Sequence, residues 1–512
     1  MSKQINSAFW LVLTITVLIM FFNLGGIPLL DPDEPVYAET PKEMLQFQDL
    51  VSPRIYGEYW YDKPPIYYWL VAGAFKLFGV NEFAARLPSA LLAVVCVMLI
   101  YRSGSRFFGE RAGVVGALAL ATSIEYFYLA KAAVTDITLT LFLTASLLSF
   151  VERRYYLFYL FAGLATLTKG PIGLLFPGAI VFLYLAVIGR FHELKNMKLF
   201  SGTALYLIVA MPWYWIMYQL HGAAFIDTFI GFHNITRFTT AEHSKTAMWH
   251  FFIPVLILGF FPWTAIMAQS IRASLAQGRK DNPTLLFLNI WAAFIFGFFT
   301  LSSTKLVTYI LPMYPPLAMI VGWYLGRCRD DYKRVSLSWP IMLTVLVLLL
   351  LGGMFWGVRT MPELGNGVMA LAVIFIVMLA AVWFFVAKKK TAHAFWGQVA
   401  AMVLACIVLV TLLFPAVAPA FTTRDIAKDF SAYYDGNSPV YVMKFLHPGF
   451  TFYTDVYGIE LKSGGELDKA IAEGGKAYFV IRESEYNSLS EKRRTALTVL
   501  ASSGKKVLLV KH

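Results

Sequence analysis

Directly after an apolar run from about Phe9 to Leu30 the chain reads Leu30-Asp31-Pro32-Asp33-Glu34-Pro35-Val36-Tyr37-Ala38-Glu39, a cluster of carboxylates at the edge of a lipid-compatible segment. An ionisable group loses hydration wherever it is drawn toward lipid, so such a cluster is costly unless something nearby uses it. Other charges stand almost alone in long apolar stretches: Asp136 with Lys131, then Lys169, then Lys305, and His233 with Arg237 in Gly231-Phe232-His233-Asn234-Ile235-Thr236-Arg237-Phe238. Taken singly, each lysine could be an anchor that snorkels to the interface. Taken together, cations and carboxylates on one side of a membrane imply a polar cavity below that surface. The cations suit an anion, most simply a phosphate, which arginine engages bidentately and lysine as a point charge. A carboxylate beside such a site can serve as base or orienter for an attacking hydroxyl. Phosphate as leaving group with carboxylate as base is a transferase arrangement.

The elements that must position these residues are membrane helices. The chain has 512 residues, of which 58% are hydrophobic and 14% charged, with mean hydropathy +0.62, far from the balance of a water-soluble domain. Apolar runs of about 20 residues, enough to cross a hydrocarbon core, recur from end to end, so the first is read as a span and not as a cleaved leader. The net charge of +12 does not signal nucleic acid, because the Lys and Arg cluster in short loops between spans, where they set topology and touch anionic lipid. Cys96, Cys328 and Cys406 form no CxxC pair and support neither a disulfide framework nor a cysteine metal site.

Basic loops at Arg102/Arg106/Arg111, Arg153/Arg154, Arg190/Lys195/Lys198, Arg272/Arg279/Lys280, Arg327/Arg329/Lys333/Arg334 and Lys388/Lys389/Lys390 read as cytoplasmic turns. They predict about thirteen spans, with the N-terminus inside and the C-terminus outside. Every isolated charge named above then falls at the outer end of a span or in an outer loop. Residues 1–420 form the membrane domain in this reading. Within it residues 31–84 make a first outer loop with a turn around Tyr56-Gly57-Glu58 and an interfacial helix over Ile66 to Phe78, and Pro41 splits the preceding helical stretch into two short helices.

From residue 421 to 512 charges and glycines return, and the pattern predicts a small α/β domain outside the membrane. Its strands are Pro439 to Phe445, Ala477 to Ile481 and Lys506 to Val510. Its helices are Arg424 to Tyr434, Glu466 to Glu473 and Ser490 to Ser502. The domain carries no evident catalytic constellation; it could bind an acceptor or cap the outer face.

The motifs bear a family resemblance. Asp33-Glu34-Pro35-Val36-Tyr37-Ala38-Glu39, Tyr61-Asp62-Lys63-Pro64-Pro65-Ile66-Tyr67-Tyr68-Trp69, Phe78-Gly79-Val80-Asn81-Glu82 and Ala84 to Ser89 closely resemble the lipid A aminoarabinose transferases and related protein O-mannosyltransferase-like enzymes, which are C-type glycosyltransferases. The resemblance continues through Asp136, Leu167-Thr168-Lys169-Gly170, Met211-Pro212-Trp213-Tyr214, His233 to Phe238, Phe261-Pro262-Trp263 and Lys305 to Pro312.

The resemblance implies an inverting transfer at the outer face of the plasma (inner) membrane, from a polyprenyl-phosphate-linked sugar to an envelope glycan or lipid such as lipid A or lipopolysaccharide. It implies Asp33 as the essential acid, with Glu34 and Asp136 as further catalytic carboxylates. Lys63, Arg237, Tyr309 and Lys305 would bind the donor phosphate. Asp62 and His233 resemble a position at which a divalent metal, zinc, is held, although two ligands do not complete a metal shell.

One position departs from the pattern: Val36 stands where the aminoarabinose transferases usually have arginine, which loosens the link to lipid A in particular. A phosphate acceptor needs no base whereas a hydroxyl does, so protein Ser/Thr is an alternative acceptor. A lipid-linked sugar transporter or flippase would favour repeated halves, and none is present in the sequence.

Overall fold

The computed structural model describes residues 7–236, 248–279, 281–327 and 336–512, with backbone alone for 233–235. The chain is a polytopic α-helical protein with a small C-terminal α/β domain, and its contacts divide it into two compact units.

The first unit comprises residues 1–22, 61–67 and 89–409. Across the described chain six helices are long and apolar enough to cross a membrane, or eight if each of two bent pairs is one span. Further apolar helices are shorter, among them Ser7–Phe21, Asp136–Val151 and Ile172–Ile188, and the sequence count of about thirteen includes such segments. Helices Glu110–Ala121 and Tyr314–Gly326 pack backbone to backbone: a Cβ on Gly322 would lie 2.4 Å from the Ala112 carbonyl, so only glycine permits the approach.

Both bent pairs interrupt their helical ladders, and hydrogen bonds run between the two breaks. Glu110–Ala121 turns by 67° into Ile124–Ala130, and Phe252–Gly259 turns by 105° into Thr264–Gly278. The Ile124 amide donates to the Phe261 carbonyl at 3.3 Å and the Trp263 indole donates to Thr122 Oγ1 at 3.0 Å. The Tyr314 hydroxyl donates to the buried Glu125 carboxyl beside the same breaks. Irregular backbone is tolerated inside a bilayer only where it is repaid in this way by internal partners.

Asp136–Val151 and Tyr155–Lys169 form an antiparallel hairpin, turned at Arg153 with φ 58°. At the turn the buried Glu152 carboxylate pairs with Arg106 at 3.0 Å and with Arg154 at 3.1 Å. The hairpin therefore has one end tied by a salt-bridge cluster and the other end carrying Asp136 and Lys169.

The second unit comprises residues 23–60, 68–88 and 410–512. After a two-strand hairpin of β1 (Arg54–Ile55) and β2 (Glu58–Tyr59), five strands, β3 (Val440–Met443), β4 (Ile459–Leu461), β5 (Ala477–Arg482), β6 (Thr498–Ser503) and β7 (Lys506–Lys511), form a sheet of order β4-β3-β5-β7-β6. β3 pairs in parallel with both β4 and β5, and β7 pairs antiparallel with β5 and β6. Tyr478 and Val480 of β5 pack with Ile426 and Phe430 on one face, while Phe479 and Ile481 pack with Leu467 and Ile471 on the other. A strand apolar on both faces is what a sheet covered by helices on both sides requires.

Two expectations for this unit are corrected. Pro41 does not split its stretch: a single helix runs over Asp33–Gln46 with Pro41 inside. The lost amide bond is offset by burial of residues 38–44, and by Glu43, whose carboxylate accepts from the Tyr56 and Gly57 amides at 2.6 and 2.9 Å. Those amides form the turn of a two-strand hairpin, Arg54–Ile55 with Glu58–Tyr59, in which Tyr56 (φ 59°) and Gly57 (φ 78°) take the left-handed conformations of a tight hairpin turn. The helix expected over Ser490 to Ser502 shrinks to Glu491–Arg494, because Thr498 and Val499 are recruited into β6 by pairing with β7. Tertiary pairing overrides local pattern there.

Candidate active site

In the first unit, the open end of the helical hairpin brings together two of the isolated charges, Asp136 and Lys169. Asp136 is the first residue of its helix and Lys169 the last of its own, so each charge complements the dipole of the helix that carries it. Lys169 Nζ donates to Asp136 Oδ1 at 2.7 Å, with both side chains largely buried. The same ammonium lies 5.2 Å from the centroid of the Tyr309 ring, in the cation–π range. Asp62 is close enough to act on Lys169 electrostatically, and its neighbour Lys63 places Nζ 2.8 Å from Asp62 Oδ1. Tyr61 anchors this stretch by packing against His221 (5.3 Å between centroids) and Phe225 (5.7 Å). Lys305 is buried and donates to the Ser302 carbonyl in the turn that leads to Tyr309. Asp62, Lys63, Asp136, Lys169 and Tyr309 thus form one constellation of carboxylates, ammonium groups and a phenol, whose ammonium and phenol groups have the chemistry to donate to a phosphate ester.

An apolar groove of about 810 Å³ begins at the same hairpin end. Thr166 and Pro171, which flank Lys169, line it together with Leu175, Phe182, Tyr214 and Phe229. Its walls continue along Ile172–Ile188 and Leu199–Ile226, the latter kinked at Gly222. An apolar trough lined by the chain neighbours of a buried lysine suits an amphiphile with an anionic head.

Lys131, which also stood alone in an apolar stretch, does something else. Its ammonium donates to the Met20 and Phe22 carbonyls at 3.1 and 2.7 Å and so caps the end of the first span.

In the second unit Asp33 and Glu34 open the helix Asp33–Gln46, and neighbours in sequence have opposite surroundings. Asp33 is exposed, whereas Glu34 is buried. Arg86 meets Glu34 in a fork, Nε to Oε1 at 2.8 Å and Nη2 to Oε2 at 2.7 Å, and the Leu30 amide adds a third donor at 2.9 Å. The remaining Arg86 hydrogens go to the Leu24, Ile27 and Pro28 carbonyls. Glu34 is consumed in holding the chain between the first span and the helix that presents Asp33. Asp31 is drawn inward as well, its carboxyl pushed above the ordinary range by burial.

Arg86 was not singled out by the sequence, and Lys169 stood out as an isolated charge without a role of its own. Arg86 lay inside the Ala84 to Ser89 motif, and Lys169 inside Leu167-Thr168-Lys169-Gly170. Arg237 lies outside the described residues, as does the side chain of His233. Among the described residues no three His, Cys, Asp or Glu side chains come together, and the Asp62 carboxylate is ion-paired with Lys63. These described donors do not by themselves make a metal shell.

A sequence-family model described as dolichyl-phosphate-mannose-protein mannosyltransferase matches residues 62–216. An uncharacterized protein of Aquifex aeolicus is 31% identical over 349 residues, covering 66% of this chain and 68% of the relative. The undecaprenyl phosphate-alpha-4-amino-4-deoxy-L-arabinose arabinosyl transferase of Pectobacterium carotovorum is 30% identical over 346 residues, 64% of this chain, and the chain spans 61% of that relative's length. In fold, the chain is similar to ArnT from Cupriavidus metallidurans, solved bound to undecaprenyl phosphate, with TM-score 0.76 and 23% identity over 99% of this chain and 98% of that one. It also resembles the apo oligosaccharyltransferase of Archaeoglobus fulgidus, with TM-score 0.54 and 12% identity over 94% and 70%. The chain belongs to one family with the Aquifex aeolicus protein and is homologous to the undecaprenyl-phosphate sugar transferases.

Proposed function

We propose that this protein moves a sugar, with inversion, from a polyprenyl-phosphate carrier to an acceptor of the lipid A or lipopolysaccharide type at the outer face of the inner membrane. The observation that carries this reading is the apolar groove lined by Thr166 and Pro171, which lie on either side of Lys169 in the chain: its aliphatic and aromatic walls suit a prenyl chain, and the buried ammonium of Lys169 at the end of that helix suits the phosphate. In the reaction the acceptor oxygen bonds to the anomeric carbon as the bond from that carbon to the phosphate oxygen breaks, its electron pair leaving with the polyprenyl phosphate. Lys169, Lys63, Lys305 and Arg237 stabilise the charge that grows on the leaving phosphate, and the Tyr309 hydroxyl orients it. Asp136 holds the Lys169 ammonium in place.

Asp33 is the residue on which transfer depends. For a hydroxyl acceptor it takes the proton; for a phosphate acceptor, already anionic, it orients the attack. Glu34, locked by Arg86, positions the helix that carries Asp33. A divalent metal at Asp62 and His233 would need further ligands from substrate phosphate, and none of these steps passes through one.

The crossings number about thirteen when the shorter apolar helices and each bent pair are counted with the long helices. Basic loops support a cytoplasmic N-terminus, with residues 1–420 as the membrane domain and 421–512 as an external one.

The match to a model described as a protein mannosyltransferase favours a second acceptor class, protein Ser/Thr. Both are tested by incubating purified protein with a panel of polyprenyl-phosphate sugars and either lipid A or Ser/Thr peptides. Sugar on lipid A supports the first reading, sugar on peptide the second, and no transfer to either overturns both.

A further inference from the structure

Within the second unit a cleft of about 730 Å³ opens among the helix Asp33–Gln46, the turn Val80 to Glu82, the helix His447–Thr454 and Arg424. Its polar wall consists of Lys42, Gln46, Glu82, Arg424, Tyr453 and Asp455. The charges balance: Lys42 Nζ lies 2.7 Å from Asp455 Oδ1, and Arg424 Nη1 lies 3.6 Å from Glu82 Oε1. A wall with two ammonium or guanidinium groups and two carboxylates does not select a polyanion.

What it does offer is a dense set of donors and acceptors for groups that are both at once, as sugar hydroxyls are. The Arg424–Glu82 separation is wider than a formed charge-assisted bond of about 2.7–2.9 Å, so a hydroxyl could bridge the pair. Glu82 is also fixed for such a role, since it accepts from the Tyr453 hydroxyl at 3.2 Å while the Leu29 amide donates to the same phenol oxygen at 2.8 Å. Phe452 adds an apolar surface of the kind a sugar ring covers.

The lip of the cleft differs in character. Val80, 49% exposed, lines the cleft, and in the chain it closely follows the apolar helix Ile66–Phe78, whose last residues Leu77 and Phe78 are 78% and 53% exposed. Polar floor and apolar lip together fit an amphiphile.

We propose that this cleft is a subsite for the sugar headgroup of a membrane-anchored glycolipid, which would be the acceptor. The identification as acceptor rests on the transferase reading; binding of the headgroup does not. Full-length protein carrying Val80→p-benzoylphenylalanine is reconstituted with labelled lipid A or with labelled phosphatidylglycerol and illuminated. Lipid A should label at least about tenfold more strongly, and Arg424→Ala together with Gln46→Ala should remove most of that difference, as expected for loss of two polar contacts. Equal labelling by the two lipids, or labelling indifferent to these substitutions at unchanged melting temperature, overturns the proposal. In transfer assays the same two substitutions should raise the acceptor KM and leave the donor KM unchanged; an unchanged acceptor KM overturns the acceptor assignment. If the wild type transfers from no polyprenyl-phosphate donor, the transferase reading fails, while the labelling experiment still decides the cleft.

Discussion

Lys169 Nζ lies 2.7 Å from Asp136 Oδ1 although the residues are 33 positions apart, because the hairpin brings the last residue of one helix onto the first of the other. The pair has a consequence for substrate. A phosphate that enters takes up donors of the ammonium, and Asp136 keeps that ammonium from swinging away. Lys169→Met should lower kcat/KM by about 10²–10³, the scale for removing one preorganised donor from a developing oxyanion, and Lys169→Arg should restore part of it. Steady-state kinetics at matched melting temperature check this.

The groove can be blocked without touching a charge. Gly178 lines it and a Cβ there meets nothing within 4 Å, so Gly178→Trp places an indole in the trough with little strain on the helix. The KM for a long-chain polyprenyl donor should rise about tenfold or more, while a donor with a short prenyl chain should be affected much less. Equal effects on both donors would show that the chain lies elsewhere.

Glu34 and Arg86 form a buried fork, and breaking one side leaves a buried charge alone. Arg86→Met should therefore destabilise the fold by about 3–5 kcal/mol, seen as a large drop in melting temperature in detergent. A purely catalytic role for Glu34 predicts instead that Glu34→Gln loses activity with no change in melting temperature.

A pH effect follows from Glu39. Burial, opposed by Lys42, pushes its carboxyl up to about 7 in the folded chain. A raised carboxylate favours the folded state while it is protonated, so the contribution is complete at acid pH and lost as pH rises through about 7. The melting temperature should fall between pH 5 and pH 8 by the equivalent of at most about 3 kcal/mol, and Glu39→Gln should flatten that fall.

Much of this site was legible as chemistry and little of it as geometry. Asp136 and Lys169 stand out because a charge in an apolar run is expensive, but that signal is the same for Lys131, which turns out to cap the first span. Only the packed structure separates a lysine paired with Asp136 from one that caps a helix. The division of labour between Asp33 and Glu34 was not legible either, since Arg86 is 52 residues from Glu34 and its fork depends on how the chain returns. The α/β domain was readable from short apolar runs bounded by charges and glycines. β6 was missed because its order comes from pairing with β7 and not from its own pattern. The continuous helix across Pro41 escaped for the same reason: burial outweighed a local penalty.

Of all these tests, one bears most directly on the transfer reaction: turnover of purified Asp33→Asn, with a polyprenyl-phosphate sugar that the wild type uses and lipid A as acceptor. The exposed position of Asp33 at the start of its helix predicts an unchanged melting temperature together with loss of nearly all transfer. Wild-type turnover in that variant would contradict the assignment of Asp33 as the residue on which transfer depends.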